Sequence, residues 1–356
     1  MSNMALSQQK TEKPLILVLS ATDGKVESEV LQDVAVVKSY PADLTDSTVL
    51  PEEECSRALG IICGHLVQLN IDLLQRCKNL RIIVRLGIGV DNIDIEHASK
   101  LGVCVCNIPD YGVEEVADTA FALLLSLFRK TIFLHEAVQM GEPLGTYDQL
   151  ISSFMGCRRI RGKTLGLIGL GKIGIAVAER AKAFGFFTIF YDPFVPSGLD
   201  KAIGGLERVD SIEEVVKRSD CVSLHCVLTP QTRYLINETV LKLFKREAFL
   251  VNVSRGALID EVALAKALKE GWIAGAALDV QEHEPVVLKG SVLENVPNLI
   301  CTPHFAWYSE ESFLELQSSA LKCIHSAITH SDISGIINCL NKQQINMEAC
   351  EQRWNP

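Results

Sequence analysis

The chain has 356 residues, of which 48% are hydrophobic and 22% are charged, and this composition excludes a disordered or low-complexity protein. At roughly 150 residues per domain, the length predicts two domains. The formal net charge of -10 would repel a phosphate backbone, so we expect no direct binding to nucleic acid. No apolar run approaches the ~18 residues that cross a bilayer, and we expect no membrane partner.

The 12 cysteines are scattered along the chain and include no Cys-x-x-Cys pair. They could form disulfides or a zinc site, but several stand in strand-like runs, where a reduced thiol packs as a small apolar side chain. We therefore expect reduced cysteines and no bound metal. Residues 1–13 are polar and predict a flexible tail without the apolar core of a signal peptide, so we expect an intracellular protein.

The first third of the chain alternates between short apolar runs and helix-like runs. The predicted strands are Leu15–Leu19, Val34–Val37, Gly60–Cys63, Arg81–Arg85 and Val103–Cys106. The predicted helices between them are Pro51–Ala58, Ile71–Cys77 and Ile93–Lys100. Such alternation predicts a parallel sheet with helices on both faces. A long amphipathic pattern then predicts one helix over Val113–Phe133, which could connect two domains or form a dimer surface.

A second and clearer series of strands and helices follows. Its predicted strands are Thr164–Ile168, Phe186–Tyr191, Cys221–Cys226, Ala248–Val253, Ile273–Leu278 and Asn298–Cys301. Its predicted helices are Ile173–Phe184, Ile212–Arg218, Thr239–Lys245 and Asp260–Glu270. Six strands with crossover helices are typical of a doubly wound dinucleotide-binding sheet. A last helix pattern, Glu310–Ile328, could pack back on the first domain and make that domain discontinuous.

The turn after the first strand of this second series matches the dinucleotide-binding pattern G-x-G-x-x-G. It consists of Gly169, Leu170, Gly171, Lys172, Ile173 and Gly174. We expect Gly169 to allow the tight turn, Gly171 to let a pyrophosphate approach the backbone and Gly174 to let the helix pack on the strand. The phosphates would then bind at the helix N-terminus. A glycine-rich turn without a ligand is the alternative, but the flanking strand and helix favour the cofactor.

Asp192 directly follows the next predicted strand and lies 18 residues after Gly174. At this spacing it would bond the ribose hydroxyls and repel a 2′-phosphate. The sequence therefore predicts NAD rather than NADP.

Polar residues follow three further strands of the second series, where ligands of such sheets bind. Arg255 could grip a carboxylate and polarise a carbonyl, and His304 could exchange the proton, with Glu284 orienting its ring. Asp279 could hold the nicotinamide amide. Each residue alone also suits a structural role, as a helix cap, a turn or a solvated loop charge. Together, beside the glycine-rich turn, they favour hydride transfer to a 2-keto acid.

A glycine-rich loop, Arg85-Leu86-Gly87-Ile88-Gly89, follows a predicted strand of the first series. Its backbone amides could bind an anion such as a substrate carboxylate. A simple connection between strand and helix is the alternative interpretation of this loop.

Several motifs together resemble the D-isomer-specific 2-hydroxyacid dehydrogenase family and, within it, the branch of C-terminal binding protein corepressors. The family is marked by GLIGLGKIG, HCVLTPQT, VNVSRGALIDE and GAALDVQEHEP, and the branch by CTPHFAWYSE. The resemblance covers Leu15 to Asn341. It implies an α/β fold of two doubly wound parallel-sheet domains, in which a Rossmann NAD-binding domain is inserted in a discontinuous flavodoxin-like substrate domain. The expected boundaries are 14–118 and 309–341 for the substrate and peptide-binding domain, 119–308 for the Rossmann domain, and 1–13 and 342–356 for flexible tails.

The resemblance also implies roles for individual residues. The catalytic Arg, Glu and His would be Arg255, Glu284 and His304. The cofactor contacts would be Gly169, Leu170, Gly171, Lys172, Ile173, Gly174, Asp192, Cys226, Thr232, Val253, Ser254, Arg255, Asp279, His304 and Trp307. The substrate contacts would be Arg85, Gly87, Ile88, Gly89 and Trp307. Trp307 would favour a keto acid with an apolar tail, although packing between domains is its alternative role.

The same resemblance implies partners. It predicts an NAD(H)-dependent homodimer or higher oligomer, in the nucleus and cytoplasm, that recruits transcription factors and chromatin-modifying enzymes carrying Pro-x-Asp-Leu-Ser peptides. Turnover of a small 2-keto acid could then be secondary. A metabolic D-2-hydroxyacid dehydrogenase is the alternative, and Ile88, where the branch commonly has Ser, is one departure from the corepressor pattern. The segment Pro41–Thr45 itself approximates the peptide motif, either as a surface turn or as a self-binding segment.

Overall fold

The computed structural model describes residues 13–20, 23–40, 50–141, 145–154, 156–196, 198, 203–330 and 332–354. The segment Pro41–Thr45 lies outside these residues, as does nearly all of the predicted tail 1–13. The chain divides into two compact units. Unit one comprises the described residues of Met1–Tyr111 and Glu310–Pro356, and unit two those of Gly112–Ser309.

The described residues contain twelve strands in two parallel sheets. The strands are β1 (Leu15–Leu19), β2 (Val36–Tyr40), β3 (Ala58–Cys63), β4 (Ile82–Arg85), β5 (Cys104–Cys106), β6 (Thr164–Ile168), β7 (Phe187–Tyr191), β8 (Leu206–Arg208), β9 (Cys221–Leu224), β10 (Phe249–Asn252), β11 (Gly275–Leu278) and β12 (Leu299–Cys301). Unit one holds β1 to β5 in the order β2-β1-β3-β4-β5, and unit two holds the others in the order β12-β11-β10-β9-β6-β7-β8.

Helices lie between most of the strands. They are α1 (Lys25–Leu31), α2 (Glu52–Arg57), α3 (Ile71–Arg76), α4 (Ile95–Lys100), α5 (Val113–Arg129), α6 (Thr131–Gln139), α7 (Tyr147–Phe154), α8 (Lys172–Phe184), α9 (Ile212–Arg218), α10 (Glu238–Leu241), α11 (Glu261–Lys269), α12 (Glu310–Thr329) and α13 (Met347–Trp354). None of these helices combines the length and the apolar character that crossing a bilayer requires.

Unit one is a five-stranded sheet with apolar side chains on both faces. Ile61 and Ile83 belong to one buried cluster, and α12 packs against the opposite face at β3 and β4. Gly60 provides room for this helix, because a Cβ at that position would lie 3.0 Å from the side chain of Ile324. Burial of both faces explains why these strands read as nearly continuous apolar runs.

Unit two is a seven-stranded parallel sheet whose two faces carry separate apolar clusters. Alternate residues of β10 serve the two faces, with Leu250 in one cluster and Val251 in the other. Helices α5 and α8 pack against each other, and α5 also packs on β10 and β11. The predicted fold class, with two parallel-sheet α/β domains, is confirmed.

The structure corrects three details. The single helix predicted over Val113–Phe133 is two helices, because Lys130 adopts a left-handed conformation with φ 54° and breaks the helical path between α5 and α6. The second sheet has a seventh strand, β8, whose three residues are too few for a clear alternation. The two units divide at 111/112 and 309/310, whereas the predicted domain boundaries were 118/119 and 308/309.

The predicted tail 342–356 was wrong over its described part, which contains the ordered helix α13. The indole of Trp354 is buried. The guanidinium of Arg353 donates hydrogen bonds to the carbonyl oxygens of Leu101, Lys78 and Leu80. These contacts hold α13 against the N-terminal part of unit one. The segment contains few apolar residues, so its sequence did not predict an ordered helix.

Candidate active site

The carboxyl edge of the seven-stranded sheet collects most of the predicted site residues. Arg255 follows β10, Asp279 follows β11 and His304 follows β12, and these three strands are neighbours in the sheet. The glycine-rich turn follows β6 at the same edge, and Asp192 follows its neighbour β7. Separate loops of one sheet therefore carry the predicted dinucleotide turn and the predicted reacting groups.

Two of the three glycines in the turn after β6 leave no room for a side chain. Gly169 has φ +96°, and a Cβ there would lie 2.6 Å from the carbonyl carbon of His225. A Cβ on Gly174 would lie 2.6 Å from the carbonyl oxygen of Gly169, so the helix could not pack as it does. Gly171 is different, because a Cβ there would meet no atom of the described residues within 4 Å. The open space at Gly171 is where a pyrophosphate can approach the backbone.

Helix α8 begins at this turn and presents its N-terminus there. Gly171 is its extended N-cap, and no described side chain caps the helix. Asp192 is held beside the turn, since its Oδ2 accepts a hydrogen bond of 2.8 Å from Leu170 N and its Oδ1 one of 2.8 Å from Phe194 N. Open space, an uncapped helix start and an adjacent carboxylate fit a dinucleotide.

The loop after β9 contains two more of the predicted cofactor contacts. Burial raises the pKa of the Cys226 thiol to about 11, so this thiol stays protonated near neutral pH. Thr232 shapes the loop, since its hydroxyl donates to Val227 O at 2.7 Å and accepts from Thr229 N at 2.7 Å. We therefore infer that Thr232 positions the loop backbone.

Glu284 and His304 form a close pair at the carboxyl edge. Nδ1 of His304 lies 2.7 Å from Oε2 of Glu284, and both side chains are largely buried. The second carboxylate oxygen of Glu284 accepts a hydrogen bond of 3.2 Å from Gln281 N. Because both oxygens have partners, the carboxylate is fixed and orients the imidazole ring.

Asp279 organises the turn that presents His304. Its buried carboxylate accepts hydrogen bonds from the Thr302 hydroxyl at 2.5 Å, Phe305 N at 3.1 Å and Ala306 N at 2.9 Å. The backbone carbonyl oxygen of Asp279 accepts a further hydrogen bond from His304 N at 2.6 Å. His304 has φ 55°, a conformation that non-glycine residues rarely adopt. The bonds to Asp279 hold the turn in this conformation, and a contact to nicotinamide stays a prediction.

Arg255 stands in a loop that two polar side chains hold in place. Asn252, which is fully buried, donates to the Arg255 carbonyl oxygen at 2.8 Å, and the Ser254 hydroxyl donates to Leu224 O at 2.7 Å. Val253 is buried beside them. The loop conformation of Arg255 is thus set by Asn252, which the sequence analysis did not single out.

The segment Gln281–Glu284 is fixed by further groups that the sequence analysis missed. Glu261 accepts a hydrogen bond of 2.7 Å from Glu282 N, and burial raises the pKa of its carboxyl group. The Glu282 carboxylate accepts hydrogen bonds from Arg233, at 2.8 Å, and from the Tyr234 hydroxyl. These residues lie far apart in the chain, so sequence spacing does not bring them together. Only Glu261 is marked by its local sequence, as an acidic residue in the first turn of a helix.

Trp307 is packed in an aromatic group beside His304. Its indole Nε1 donates to the His304 carbonyl oxygen at 3.1 Å, and its ring centroid lies 5.6 Å from that of Tyr308. Phe305 stacks on Tyr308 at 4.5 Å, and both rings are partly exposed. Trp307 therefore braces the His304 turn, in addition to any role toward a substrate.

The predicted substrate loop lies in unit one, directly after β4. Arg85 is buried, and its guanidinium donates to Leu86 O at 2.8 Å. Gly87 has φ +137°, and a Cβ there would lie 1.5 Å from Nη1 of Arg85. The Ile88 carbonyl oxygen accepts a hydrogen bond of 2.7 Å from Asn107. The loop around Gly87 and Gly89 is therefore tightly built, and its binding of a substrate stays a prediction.

Comparison with known proteins gives matches over most of the chain. The sequence model described as "D-isomer specific 2-hydroxyacid dehydrogenase, NAD binding domain" matches residues 121–306. The chain is 38% identical to C-terminal-binding protein 1 of Caenorhabditis elegans, over 97% of this chain and 47% of that protein. It is 39% identical to D-3-phosphoglycerate dehydrogenase of Methanocaldococcus jannaschii, over 80% of this chain and 52% of that protein. The chain thus spans about half the length of these relatives.

Solved structures show the same fold. D-lactate dehydrogenase from Aquifex aeolicus, crystallised with NAD and lactic acid, is similar with a TM-score of 0.77 and 28% identity, over 88% of this chain and 94% of that one. The resemblance noted in the sequence and the predicted NAD-binding domain are confirmed by these matches.

Proposed function

The chain belongs to the D-isomer-specific 2-hydroxyacid dehydrogenase family, and from this premise we propose that it transfers a hydride between NAD(H) and a small 2-keto acid. The observation that carries the proposal is the 2.7 Å pair of Glu284 and His304. This pair lies at the sheet edge that also carries the glycine-rich turn. A carboxylate-oriented histidine beside a dinucleotide turn suits proton exchange coupled to hydride transfer.

The residues that would hold the cofactor are those of the turn after β6. The N-terminus of α8 and the space at Gly171 would take the pyrophosphate, and Asp192 would bond the ribose hydroxyls and disfavour a 2′-phosphate. When bound, the nicotinamide supplies or accepts the hydride.

Three side chains have separate roles in the proposed reaction. His304 donates a proton to the carbonyl oxygen of a 2-keto acid and removes it in the reverse direction. Glu284 fixes the imidazole ring and stabilises its protonated form. Arg255 binds the substrate carboxylate and polarises the carbonyl. The loop of Gly87 and Gly89 is proposed to bind an anion such as a carboxylate through its amides.

The test is NADH oxidation with a panel of 2-keto acids, followed at the nicotinamide absorbance. We expect His304→Ala to lower kcat by about a hundredfold or more, because the proton donor is lost. The variant should still bind NADH, as a separate titration would show. His135→Ala, which removes an exposed histidine of unit two, is the matched control. Full activity in His304→Ala would overturn the assignment.

We propose a second function, that of a transcriptional corepressor, on the 38% identity to C-terminal-binding protein 1 over 97% of this chain. In this proposal the protein is a homodimer or higher oligomer in the nucleus and cytoplasm. It recruits transcription factors and chromatin-modifying enzymes through their Pro-x-Asp-Leu-Ser peptides, and turnover is secondary. The alternative is a metabolic dehydrogenase without a transcriptional role.

Peptide titration separates these two functions. A labelled peptide with the Pro-x-Asp-Leu-Ser sequence is titrated into the protein with and without saturating NADH. Micromolar affinity that is lost when the Asp-Leu pair of the peptide is replaced would support the corepressor. Absence of binding by folded, NADH-loaded protein would leave the metabolic dehydrogenase.

A further inference from the structure

Unit one contains a pair of cysteines in cross-strand register, away from the residues discussed above. Cys106 ends β5, the edge strand of the sheet, and forms an antiparallel bridge with Cys339 in the segment after α12. The neighbouring hydrogen bond, from Leu340 N to Val105 O at 2.8 Å, makes Cys106 and Cys339 a non-hydrogen-bonded pair. In such pairs the Cα atoms lie about 4.5 Å apart and the side chains are close. Disulfides span Cα separations of roughly 4.4 to 6.8 Å.

The thiols of Cys104 and Cys106 both interact with that of Cys339. The Cys339 thiol is hydrogen-bonded with those of Cys104 and Cys106, which share one face of β5. These two thiols stabilise the Cys339 thiolate and lower the pKa of Cys339, while the pKa values of Cys104 and Cys106 are raised. The Cys339 Sγ also lies 3.3 Å from the amide oxygen of Asn341.

The three cysteines differ in exposure. Cys104 and Cys106 are fully buried, whereas Cys339 is partly exposed. A small oxidant in solution can therefore reach Cys339 first. A partly exposed cysteine of lowered pKa next to a buried second thiol is the arrangement found at redox-sensing cysteines.

We propose that Cys339 and Cys106 form a reversible disulfide when the protein meets hydrogen peroxide. The Cys339 thiolate attacks one peroxide oxygen, the O–O bond breaks, and the products after protonation are a sulfenic acid and one water. The Cys106 sulfur then attacks the sulfenic sulfur, its proton leaves with the hydroxyl as a second water, and the S–S bond forms. Two thiols are oxidised by two electrons in total, and one peroxide is reduced to two waters.

The disulfide would join the edge strand to the C-terminal segment of unit one. In the reduced protein this junction consists of the bridge itself and of Asn341, which accepts a hydrogen bond from Val105 N and donates to Val103 O. The covalent bond would close a loop from residue 106 to residue 339, and such a long loop restricts the unfolded chain strongly. We therefore expect oxidation to raise the melting temperature by about 5 °C or more.

The test treats the reduced full-length chain with stoichiometric hydrogen peroxide, blocks the remaining thiols and digests the protein without reductant. Mass spectrometry should find a Cys106–Cys339 peptide pair that has lost two hydrogens and that dithiothreitol separates. The pair should form in the wild type and in Cys104→Ser, and not in Cys339→Ser. Cys157→Ser, at a partly exposed cysteine of unit two, is the matched control and should behave as the wild type.

Chemical trapping of the Cys339 sulfenic acid provides an independent readout. In the Cys104→Ser/Cys106→Ser double variant, Cys339 has no thiol partner on β5, so dimedone should label its sulfenic acid. Peroxide-treated wild type that shows no internal pair, a predominant Cys104–Cys339 pair or a Cys339–Cys339 link between chains would overturn the proposal. A melting temperature unchanged by formation of the Cys106–Cys339 pair would refute the role of the disulfide in tying this segment to the sheet.

Discussion

The backbone of Gln281 passes directly against Gly256. A Cβ on Gly256 would lie 1.9 Å from the Gln281 carbonyl carbon and 2.3 Å from Glu282 N. Gly256 follows Arg255, and Gln281 begins the segment that carries Glu284. The loops of two of the proposed reacting residues therefore touch through a position that has no room for a side chain.

Gly256→Ala should separate these loops. The added methyl group forces the backbone apart, and we expect a loss of about 1–3 kcal/mol of stability from overpacking. We expect kcat to fall about a hundredfold, because small displacements of reacting groups are costly. Thermal melting and steady-state kinetics measure the two effects. Gly145→Ala, where a Cβ would meet nothing within 4 Å, is the control, and equal activity in both variants would refute the argument.

Asp279→Ala should loosen the His304 turn. The Thr302 hydroxyl and the amides of Phe305 and Ala306 lose their acceptor, and we expect a cost of about 3 kcal/mol. The exposed Asp210 gives the control variant Asp210→Ala. Urea denaturation of both variants measures the difference. If the two are equally stable, Asp279 does not organise this turn.

Stability should fall in mild acid because of His225. Burial lowers the pKa of this imidazole to about 4 from 6.5, and its Nε2 lies 2.9 Å from the Ser223 hydroxyl. The unfolded chain therefore binds a proton on His225 that the folded protein does not bind, so stability is complete above pH 6.5 and declines as the pH falls toward 4. Because the residue keeps some exposed surface, we expect at most about 2 kcal/mol lost by pH 5.

The measurement is denaturant unfolding between pH 7 and pH 4.5. His225→Asn should flatten the profile, whereas His135→Asn, at an exposed position, should leave it unchanged. A wild-type slope that persists in His225→Asn would assign the effect to another group.

Asp192→Asn should weaken the discrimination between the two nicotinamide cofactors. The variant removes the charge that would repel a 2′-phosphate but keeps an oxygen that can accept from Leu170 N. We expect the ratio of kcat/KM with NADH to kcat/KM with NADPH to fall about tenfold or more, since one charge interaction is worth about 1.4 kcal/mol or more at this range. Kinetics with both cofactors test this, and an unchanged ratio would mean that another group reads the ribose.

The sequence predicted those parts of the fold that have a local signal. The strands around Leu167 and Val251 are apolar on both faces, and the turn at Gly169 has a characteristic spacing. The division of the long helix at Lys130 had no signal, because the left-handed conformation of one lysine follows from tertiary packing rather than from its own preference.

The polar residues of the candidate site stand out in the sequence, but the residues that hold them in place do not. Residues such as His304 and Arg255 stand out because polar groups at strand ends are conspicuous. Asn252, Glu261 and Gly256 act through partners that come from other strands or loops. No sequence spacing indicates that Gly256 will face Gln281, since that contact exists only after the sheet has formed.

The hydrogen bond from the Trp307 indole to the His304 carbonyl oxygen limits how the proposed substrate site can be redesigned. Trp307 is the residue proposed to select the tail of the keto acid, so it is the obvious target for changing substrate range. A replacement without a ring N–H would also release the backbone of His304, the proposed proton donor. If the proposed roles hold, one bond links selectivity to turnover, and directed evolution at Trp307 would need a compensating donor elsewhere in the turn.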